Sequence, residues 1–263
     1  MIAKERLLYI LKRLNAQPAV SVAELCKELQ VSKSTVQRDL ATLAKEKKIS
    51  RERGGAVTKK MEKTMSDLTE VSVLEKINVH AEEKQAICQA AAEVVHDGDL
   101  IFIDSGTTPS YLLQYLQSKK IKIVTNSYFI LSKARGTNAV VYMLGGQYYP
   151  KYEVCYGPIT TKQLSQFRFD YAFIGANGID LDLEEAYASE FEIGALKAAA
   201  MERSKHKFLL VDSSKFAITG ICTFANLSQF DKIFVDDFPG KTKKIKNIVK
   251  VKIDKEEPEN EDV

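Results

Sequence analysis

Six polar side chains lie close together between positions 32 and 38, within the stretch VSKSTVQRDL (residues 31–40). Gln can form two hydrogen bonds with adenine and Arg two with guanine, whereas Ser, Thr and Lys commonly contact phosphates. This combination at this spacing is therefore suited to reading double-stranded DNA. The predicted DNA-binding residues of the stretch are Ser32, Lys33, Ser34, Thr35, Gln37 and Arg38.

The residues around these side chains predict a helix that would present them. Ser32 is suited to the N-cap position, because its hydroxyl can accept an N–H of the first turn. Val36, Leu40 and Leu43 recur at helical spacing. They form one apolar face and leave the polar side chains largely on the others.

The helix before this one completes a known motif. Ser21–Glu24 has the capping-box pattern of a helix start, and residues 5–15 predict an earlier helix. Three short helices with a tight turn at residues 30–31 predict a helix-turn-helix, with the motif at about residues 20–39. The alternative is an ordinary surface helix with a solvated charged face.

A basic segment follows the third predicted helix. Residues 49–53 alternate apolar and polar side chains, which predicts a wing strand, and Gly54-Gly55 permits a sharp reversal. Arg51 and Arg53 would add phosphate contacts. The order of a capped helix pair, a polar helix and a basic wing favours DNA binding over the surface-helix alternative.

The positive charge of the chain is concentrated in its N-terminal part. The 263 residues carry a net charge of +3. Residues 1–65 contain 15 Lys and Arg against 7 Asp and Glu, and the rest contains 23 against 28. Cationic side chains neutralise phosphates, so this distribution is typical of a DNA-binding domain. We expect a double-stranded DNA operator as partner.

The cysteines and the N-terminal residues limit the classes of protein to which this chain can belong. Cys26, Cys88, Cys155 and Cys222 are far apart and form no C-x-x-C pair, so we expect reduced thiols, no metal site and no cofactor. Charged residues interrupt any apolar signal segment near the start. No run approaches the ~20 apolar residues of a membrane span. We expect a cytoplasmic protein without a membrane partner.

The rest of the chain alternates predicted strands and helices. This alternation predicts an α/β domain with a parallel sheet and helices on both faces. We expect a winged helix-turn-helix domain at residues 1–57, a linker at 58–74, the α/β domain at 75–253 and an acidic tail at 254–263. The strands are expected at residues 100–103, 121–125, 140–144, 171–174, 207–211, 233–235 and 249–253.

Small and polar residues follow five of these strands. In such sheets ligands bind beyond the carboxyl ends of the strands. Hydroxyls, amides, glycines and one lysine suit a small phosphorylated polyol or sugar. The alternative is a set of plain strand-to-helix turns, which favour the same residue types. The residues predicted to bind this ligand are Asp104, Ser105, Gly106, Thr107, Thr108, Thr125, Asn126, Ser127, Gly145, Gly146, Gly175, Asn177 and Lys215.

The N-terminal pattern resembles the DeoR family of winged helix-turn-helix regulators. That pattern runs roughly V-S-x-x-T-[IV]-R-R-D-L and then L-x-x-x-G-x-[IL]-x-R-x-H-G-G-A. This chain differs from it at Gln37, Lys48 and Arg53, which stand in place of Arg, Gly and His. We expect Gln37 to alter base preference and Arg53 to strengthen phosphate contact.

The resemblance continues into the α/β domain and covers roughly residues 3–236. It implies a fold similar to ribose-5-phosphate isomerase and glucosamine-6-phosphate deaminase. It also implies a repressor of a carbohydrate-utilisation operon that a phosphorylated sugar releases from DNA. We expect a dimer or tetramer, which would present two or more DNA-binding domains to repeated half-sites. The pairs Glu75-Lys76 and Glu83-Lys84 resemble regulators of phosphotransferase-system lactose or galactose catabolism. The segments that carry the resemblance are residues 102–108, 125–127, 144–146, 173–180 and 212–216.

Two features bear on the ligand and on catalysis. Residues 183–189 depart from the G-L-T-T-like segment common in the family, and we expect a loop there that shapes the sugar pocket. The related isomerases carry a D-G-A-D-E-like loop where residues 174–178 here read IGANG. Isomerisation needs a carboxylate base beside the substrate. We expect Asp104 to hold its loop by hydrogen bonds, and a regulator rather than an isomerase or deaminase with an added DNA-binding head.

Overall fold

A computed structural model describes residues 3–16, 19–45, 49–52, 55–58, 73–216, 218–220, 222–239 and 245–253. The chain divides into two compact units, residues 1–70 and residues 71–263. Among the described helices, none has the length and apolar character needed to cross a membrane.

The first unit contains three helices and a small antiparallel sheet. Its elements are α1 (Ala3–Ala16), β1 (Ala19–Ser21), α2 (Val22–Leu29), α3 (Lys33–Lys45), β2 (Ile49–Glu52) and β3 (Gly55–Thr58). The predicted capping box is confirmed, since the Glu24 N–H donates to Ser21 Oγ at 3.1 Å and the Ser21 N–H donates to Glu24 Oε2 at 2.8 Å. Gln30 ends α2 in the left-handed conformation at φ 53°, which makes the tight turn before α3.

The apolar faces of the three helices meet in one core. Val36, Leu40 and Leu43 of α3 are buried there together with Ile10 and Leu25. The predicted wing strand is β2, which pairs with β3, and β3 also pairs with β1. The sequence did not predict β1, because it is only three residues long.

The second unit is built on a seven-stranded sheet. The order is β15-β14-β12-β9-β4-β5-β6, and all six pairings are parallel, as the sequence predicts. The strands are β4 (Leu100–Ile103), β5 (Lys122–Thr125), β6 (Val140–Met143), β9 (Phe169–Ile174), β12 (Ser204–Leu210), β14 (Lys232–Val235) and β15 (Ile248–Lys250).

Helices cover both faces of this sheet. On β4, Ile101 and Ile103 point into one core cluster and Phe102 into the other, as expected for a strand buried on both sides. The helices are α4 (Val73–Ile77), α5 (Ala81–Ala92), α6 (Thr107–Ser110), α7 (Leu112–Leu116), α8 (Tyr128–Lys133), α9 (Pro158–Leu164) and α10 (Phe191–Glu202). The first cluster includes residues of α5, α7 and α8, and the second includes residues of α9 and α10.

Two antiparallel additions were not predicted. One is the hairpin of β7 (Gln147–Tyr149) and β8 (Val154–Tyr156). The other is a sheet of β10 (Gly178–Asp180), β11 (Glu185–Ala188) and β13 (Cys222–Asn226), with β11 in the middle. The expectation of a loop over residues 183–189 is therefore wrong for Glu185–Ala188, where Ala186 and Ala188 are buried against neighbouring strands.

Parts of two predicted segments fall outside the described residues. These are residues 59–72 of the predicted linker and the whole predicted acidic tail, residues 254–263. The two ends of the linker belong to regular elements, since Thr58 closes β3 and Val73 begins α4.

Candidate functional site

Helix α3 presents the predicted DNA-contacting side chains at its N-terminal end. Ser32 precedes the helix, and its Oγ accepts the Thr35 N–H at 3.2 Å. Its carbonyl accepts the N–H groups of Thr35 and Val36, so the cap fixes the first turn. Thr35 is half-buried, and the other predicted side chains of this helix end are exposed: Ser32, Lys33, Ser34, Gln37 and Arg38.

A partly buried ion pair positions α3 against α1. Asp39 lies on the inner face of α3 and is 7% exposed. It accepts two hydrogen bonds from Arg6, with Nε–Oδ2 at 2.7 Å and Nη2–Oδ1 at 3.1 Å. The hydrogen bond that Arg6 donates to Asp39 raises the pKa of Arg6. The sequence offers one indication of this pair that was not recognised: Asp39 is an acidic residue on the apolar face of α3, between Val36 and Leu40.

The wing residues are described less fully. Arg51 lies in β2, of which the structure describes the backbone alone at this position. Lys48, Arg53 and Gly54 lie outside the described residues. Contact of Arg51 and Arg53 with phosphate therefore stays a prediction.

The second unit has a cavity at the point where the sheet changes its direction of winding. From β4 the chain continues to β5 and β6 on one side, and it then returns to β9 and β12 on the other. The loops after β4 and β9 therefore diverge, which is the usual ligand position in such sheets. The cavity is lined by Val73, Lys76, Ser105, Gly106, Thr107, Thr108, Pro109, Tyr152, Gly175, Ala176, Asn177, Ser189, Ile193, Lys197 and Lys215.

The lining is cationic and rich in hydroxyls. Three lysines, Lys76, Lys197 and Lys215, come from three separate elements. Of the residues that the structure describes around the cavity, none is Asp or Glu. Lysine ammonium groups, hydroxyls and backbone N–H groups together suit a phosphate with a polyol attached.

Seven of the thirteen residues predicted for this ligand meet in the cavity. They are Ser105, Gly106, Thr107, Thr108, Gly175, Asn177 and Lys215. Lys76, Tyr152 and Lys197 also line the cavity and were not predicted, because they lie outside the loops that follow the strands of the large sheet. Ser189 lines it too and belongs to residues 183–189, which were expected to shape the pocket. The sequence could have indicated a buried role for Lys197, because this lysine lies on the apolar face of α10 beside Ile193 and Leu196.

Asp104 lies beneath the cavity instead of lining it. It is 2% exposed, and its Oδ2 accepts the N–H groups of Gly106 at 3.3 Å and Gly175 at 3.0 Å. Lys197 Nζ donates to the same oxygen and also to the Gly175 carbonyl at 3.0 Å. The expectation that Asp104 holds its loop by hydrogen bonds is confirmed.

Thr125, Asn126 and Ser127 do not line the cavity. All three are at most 1% exposed. The Thr125 Oγ1 accepts the Ser127 N–H at 3.1 Å, and Asn126 Nδ2 donates to the Cys155 carbonyl at 2.9 Å. Thr125 ends β5, and Asn126 and Ser127 follow it. This strand extends the sheet on the side of β4 away from β9, and the hydrogen bonds of Thr125 and Asn126 hold the chain together there.

Gly145 and Gly146 are likewise away from the cavity. The Gly145 N–H donates to Gln163 Oε1 at 2.8 Å, and its carbonyl accepts the Thr160 hydroxyl at 2.8 Å. A Cβ on Gly146 would lie 2.1 Å from Thr160 Oγ1. Both glycines follow β6 at the sheet edge, and the absence of a Cβ on Gly146 permits close packing of the chain onto α9.

A further lysine lies close to the cavity without lining it. Lys84 of α5 is 3% exposed, and its Nζ donates to the Lys76 carbonyl at 2.6 Å. Burial lowers the pKa of Lys84 to about 8, although Asp212 favours its charged form. Throughout the described residues, no group of three His, Cys, Asp or Glu side chains is placed to hold a metal ion.

Comparison with known proteins identifies the family of both domains. Residues 6–62 match the model of the DeoR-like helix-turn-helix domain, and residues 79–237 match the model of the DeoR C-terminal sensor domain. The chain belongs to the DeoR family. The DeoR-family protein is thus a DNA-binding transcription regulator with a sensor domain.

Similar proteins extend over nearly the whole of this DeoR-family chain. The HTH-type transcriptional repressor GlcR of Bacillus subtilis is 31% identical over 91% of this chain and 90% of its own length. A lactose phosphotransferase system repressor of Staphylococcus epidermidis is 32% identical over 94% and 98%. An L-fucose operon activator of Haemophilus influenzae is 32% identical over 86% and 89%.

Solved structures resemble part of the DeoR-family chain at low identity. Ribose-5-phosphate isomerase A of Methanocaldococcus jannaschii has a TM-score of 0.40 and 15% identity, over 52% of this chain and 55% of that one. A translation initiation factor eIF-2B of Pyrococcus horikoshii has a TM-score of 0.42 and 16% identity, over 61% and 64%.

Proposed function

We propose that this protein represses a carbohydrate-utilisation operon in the cytoplasm, and that a phosphorylated sugar bound in the cavity releases it from the operator. The observation that carries the proposal is the lining of the cavity. Lys76, Lys197 and Lys215 converge there with hydroxyl groups, and the cavity lies at the switch point of the sheet. Such a site favours a dianionic phosphate over a neutral sugar.

The proposed roles at the DNA follow from side-chain chemistry. Thr35 and Gln37 contribute base reading, whereas Lys33, Arg38, Arg51 and Arg53 contact phosphates. We propose a homodimer or homotetramer, because helix-turn-helix proteins commonly bind paired half-sites as symmetric oligomers. Light scattering of the purified protein tests the oligomer, and a monomer at the concentration used for DNA binding would contradict it.

The proposal includes no catalysis by the sensor domain. Asp104, the carboxylate beneath the cavity, already binds Lys197 and two N–H groups, so it is poorly placed to take a proton from a substrate carbon. Incubation with ribose 5-phosphate and glucosamine 6-phosphate tests this. Product formation above the rate without protein would support the isomerase or deaminase alternative.

A screen followed by DNA binding tests the proposed function. Thermal shift is measured with ribose 5-phosphate, glucose 6-phosphate, galactose 6-phosphate, fructose 1-phosphate, fructose 1,6-bisphosphate, glucosamine 6-phosphate and inorganic phosphate. We expect at least one sugar phosphate to raise the melting temperature and to weaken binding to a DNA duplex that the protein selects from a random pool. Tighter binding with every active compound would contradict release.

A matched pair of variants locates the effect in the cavity. Thr107→Val removes a cavity hydroxyl at nearly constant shape, and we expect it to weaken or abolish the response to the active sugar phosphate. Thr161→Val makes the same change at an exposed position of α9 that does not line the cavity. We expect its response to be unchanged. Equal responses of the two variants would place the ligand elsewhere.

A further inference from the structure

Helix α4 is the first described element of the second unit and also a wall of the cavity. The units divide between Glu70 and Val71, and α4 begins at Val73. Val73 and Lys76 both line the cavity. The chain that leaves the DNA-binding unit therefore enters the sensor unit at the surface of the proposed effector site.

The C-terminal end of α4 is capped by side chains of the sensor unit. The Tyr111 hydroxyl donates to the Ile77 carbonyl at 2.9 Å, and Lys84 Nζ donates to the Lys76 carbonyl at 2.6 Å. The last carbonyls of a helix have no partner within that helix, so such caps decide where a short helix is held. Two hydrogen bonds from separate elements thus fix the position of α4.

The apolar contacts of α4 are few. Val73 and Ile77 pack with Phe129 in a small cluster. Tyr111 packs against this cluster and also against one of the two large cores of the sheet. Elements with few buried apolar contacts move at lower free-energy cost than core elements. Apart from its two capping hydrogen bonds, α4 should therefore cost less free energy to displace than a core element.

The other cationic groups of the cavity belong to elements fixed by the core. Lys197 lies on α10, whose Leu196 and Ala200 are in the main core cluster, and Lys215 follows Val211 of the same cluster. A phosphate held by Lys197 and Lys215 would attract the Lys76 ammonium group. Because α4 has fewer buried apolar contacts than these elements, we expect α4 to be the element that shifts in response.

We propose that α4 (Val73–Ile77) couples the cavity to the DNA-binding unit, with Lys76 as an effector ligand and with Tyr111 and Lys84 as positioning residues. Bound phosphate changes the balance between positions of α4, and the chain passes that change to the first unit. This inference rests on the proposed function. It assigns the transmission of the signal to one helix.

The test separates effector binding from coupling. The affinity of the full chain for the selected duplex is measured without sugar phosphate and with a saturating amount of an active one from the panel above. The ratio of these two affinities is the coupling factor. We expect Tyr111→Phe to change this factor by about three- to tenfold, the size of one typical hydrogen bond. The affinity of Tyr111→Phe for the sugar phosphate should stay within about threefold of that of the unmodified protein, which is the smaller end of the range given for the coupling factor.

Two variants serve as controls for that measurement. Tyr115→Phe removes a hydroxyl from α7, which is not part of the α4 cluster, and we expect its coupling factor to equal that of the unmodified protein. Lys215→Met should weaken sugar-phosphate binding by about tenfold while the factor at saturation is preserved. If Tyr111→Phe does not fold, Lys84→Met removes the other cap and takes its place.

The outcomes distinguish this inference from the proposed function. No response of the unmodified protein to any compound of the panel would overturn the proposed function and the inference with it. If the unmodified protein responds to a sugar phosphate and both Tyr111→Phe and Lys84→Met keep its coupling factor, the inference is overturned. The proposed function would stand in that case. A change in the coupling factor for both cap variants, with Tyr115→Phe unchanged, would support it.

Discussion

Asp104 and Lys197 form a buried ion pair beneath the sensor cavity, although 93 positions separate them in the chain. Their side chains are 3% and 5% exposed. The same carboxylate accepts the N–H groups of Gly106 and Gly175, so it ties the loop after β4 to the loop after β9. The pair therefore holds the two sides of the switch point together.

Removal of one member of this pair should destabilise the protein strongly. Lys197→Met leaves a buried carboxylate without its cation, which we expect to cost about 3–5 kcal/mol of unfolding free energy. The double variant Asp104→Asn/Lys197→Met should lose less than the sum of the two single variants, because it leaves no unpaired charge. Urea denaturation of the unmodified protein, Asp104→Asn, Lys197→Met and the double variant gives the coupling energy between the two side chains. Additive losses would show that the two groups do not interact.

Arg38→Ala should weaken operator binding without loss of stability. Arg38 is exposed on α3, and we expect a loss of about 1–3 kcal/mol in DNA-binding free energy with an unchanged melting temperature. Lys122→Ala removes one exposed positive charge from the second unit and serves as the control. Fluorescence anisotropy with the selected duplex measures both. Equal affinities of the two variants would mean that α3 is not the recognition helix.

Gly146→Ala should destabilise the fold instead of altering effector recognition. Gly146 has φ +150°, and a Cβ there would lie 2.1 Å from Thr160 Oγ1 and 2.9 Å from the Tyr156 carbonyl oxygen. Gly136 also has a positive φ, +84°, but a Cβ there would meet nothing within 4 Å. We expect Gly146→Ala to lower the melting temperature much more than Gly136→Ala. A larger effect of Gly136→Ala would contradict the packing argument.

The stability of the protein should depend on the ionisation of Lys84. Burial lowers its pKa from 10.5 to about 8 in the folded state, so between these pH values the unfolded chain binds more protons. Stability attributable to Lys84 therefore rises with pH across that window, by about 3 kcal/mol in total. Below pH 8 both states are protonated, and the cost of the buried charge is fully present.

Comparison with Lys84→Met isolates this dependence from the other titrating groups. The free energy of unfolding of the unmodified protein, relative to this variant, should increase between pH 7.5 and pH 10. The exposed Lys122→Met should show no such trend relative to the unmodified protein. A difference for Lys84→Met that stays constant over this range would contradict a lowered pKa.

Local signals explain what could be predicted from the sequence. Ser21 with Glu24 and Ser32 with Thr35 act over three residues, so the helix starts of the DNA-binding unit were visible in the chain. The parallel strands were visible because they are apolar on both faces, as Ile101, Phe102 and Ile103 show.

Long-range pairing explains what could not be predicted. The order of the sheet places the loops after β4, β9 and β12 together and leaves Thr125–Ser127 and Gly145-Gly146 on the other side of β4. No local pattern encodes that order. The pairing of β11 with β13 was missed for the same reason, since these strands pair across more than 30 positions. The hairpin of β10 and β11 is local, but its strands have only three and four residues.

Reciprocal linkage between operator binding and sugar-phosphate binding is the most direct test of the proposed function. With the full chain and its selected duplex, we expect a saturating sugar phosphate of the panel to weaken duplex binding by about 5- to 150-fold. The duplex should weaken binding of that sugar phosphate by the same factor, because coupling between two sites is reciprocal. A sugar phosphate that binds the protein and leaves its affinity for the duplex unchanged would contradict the account.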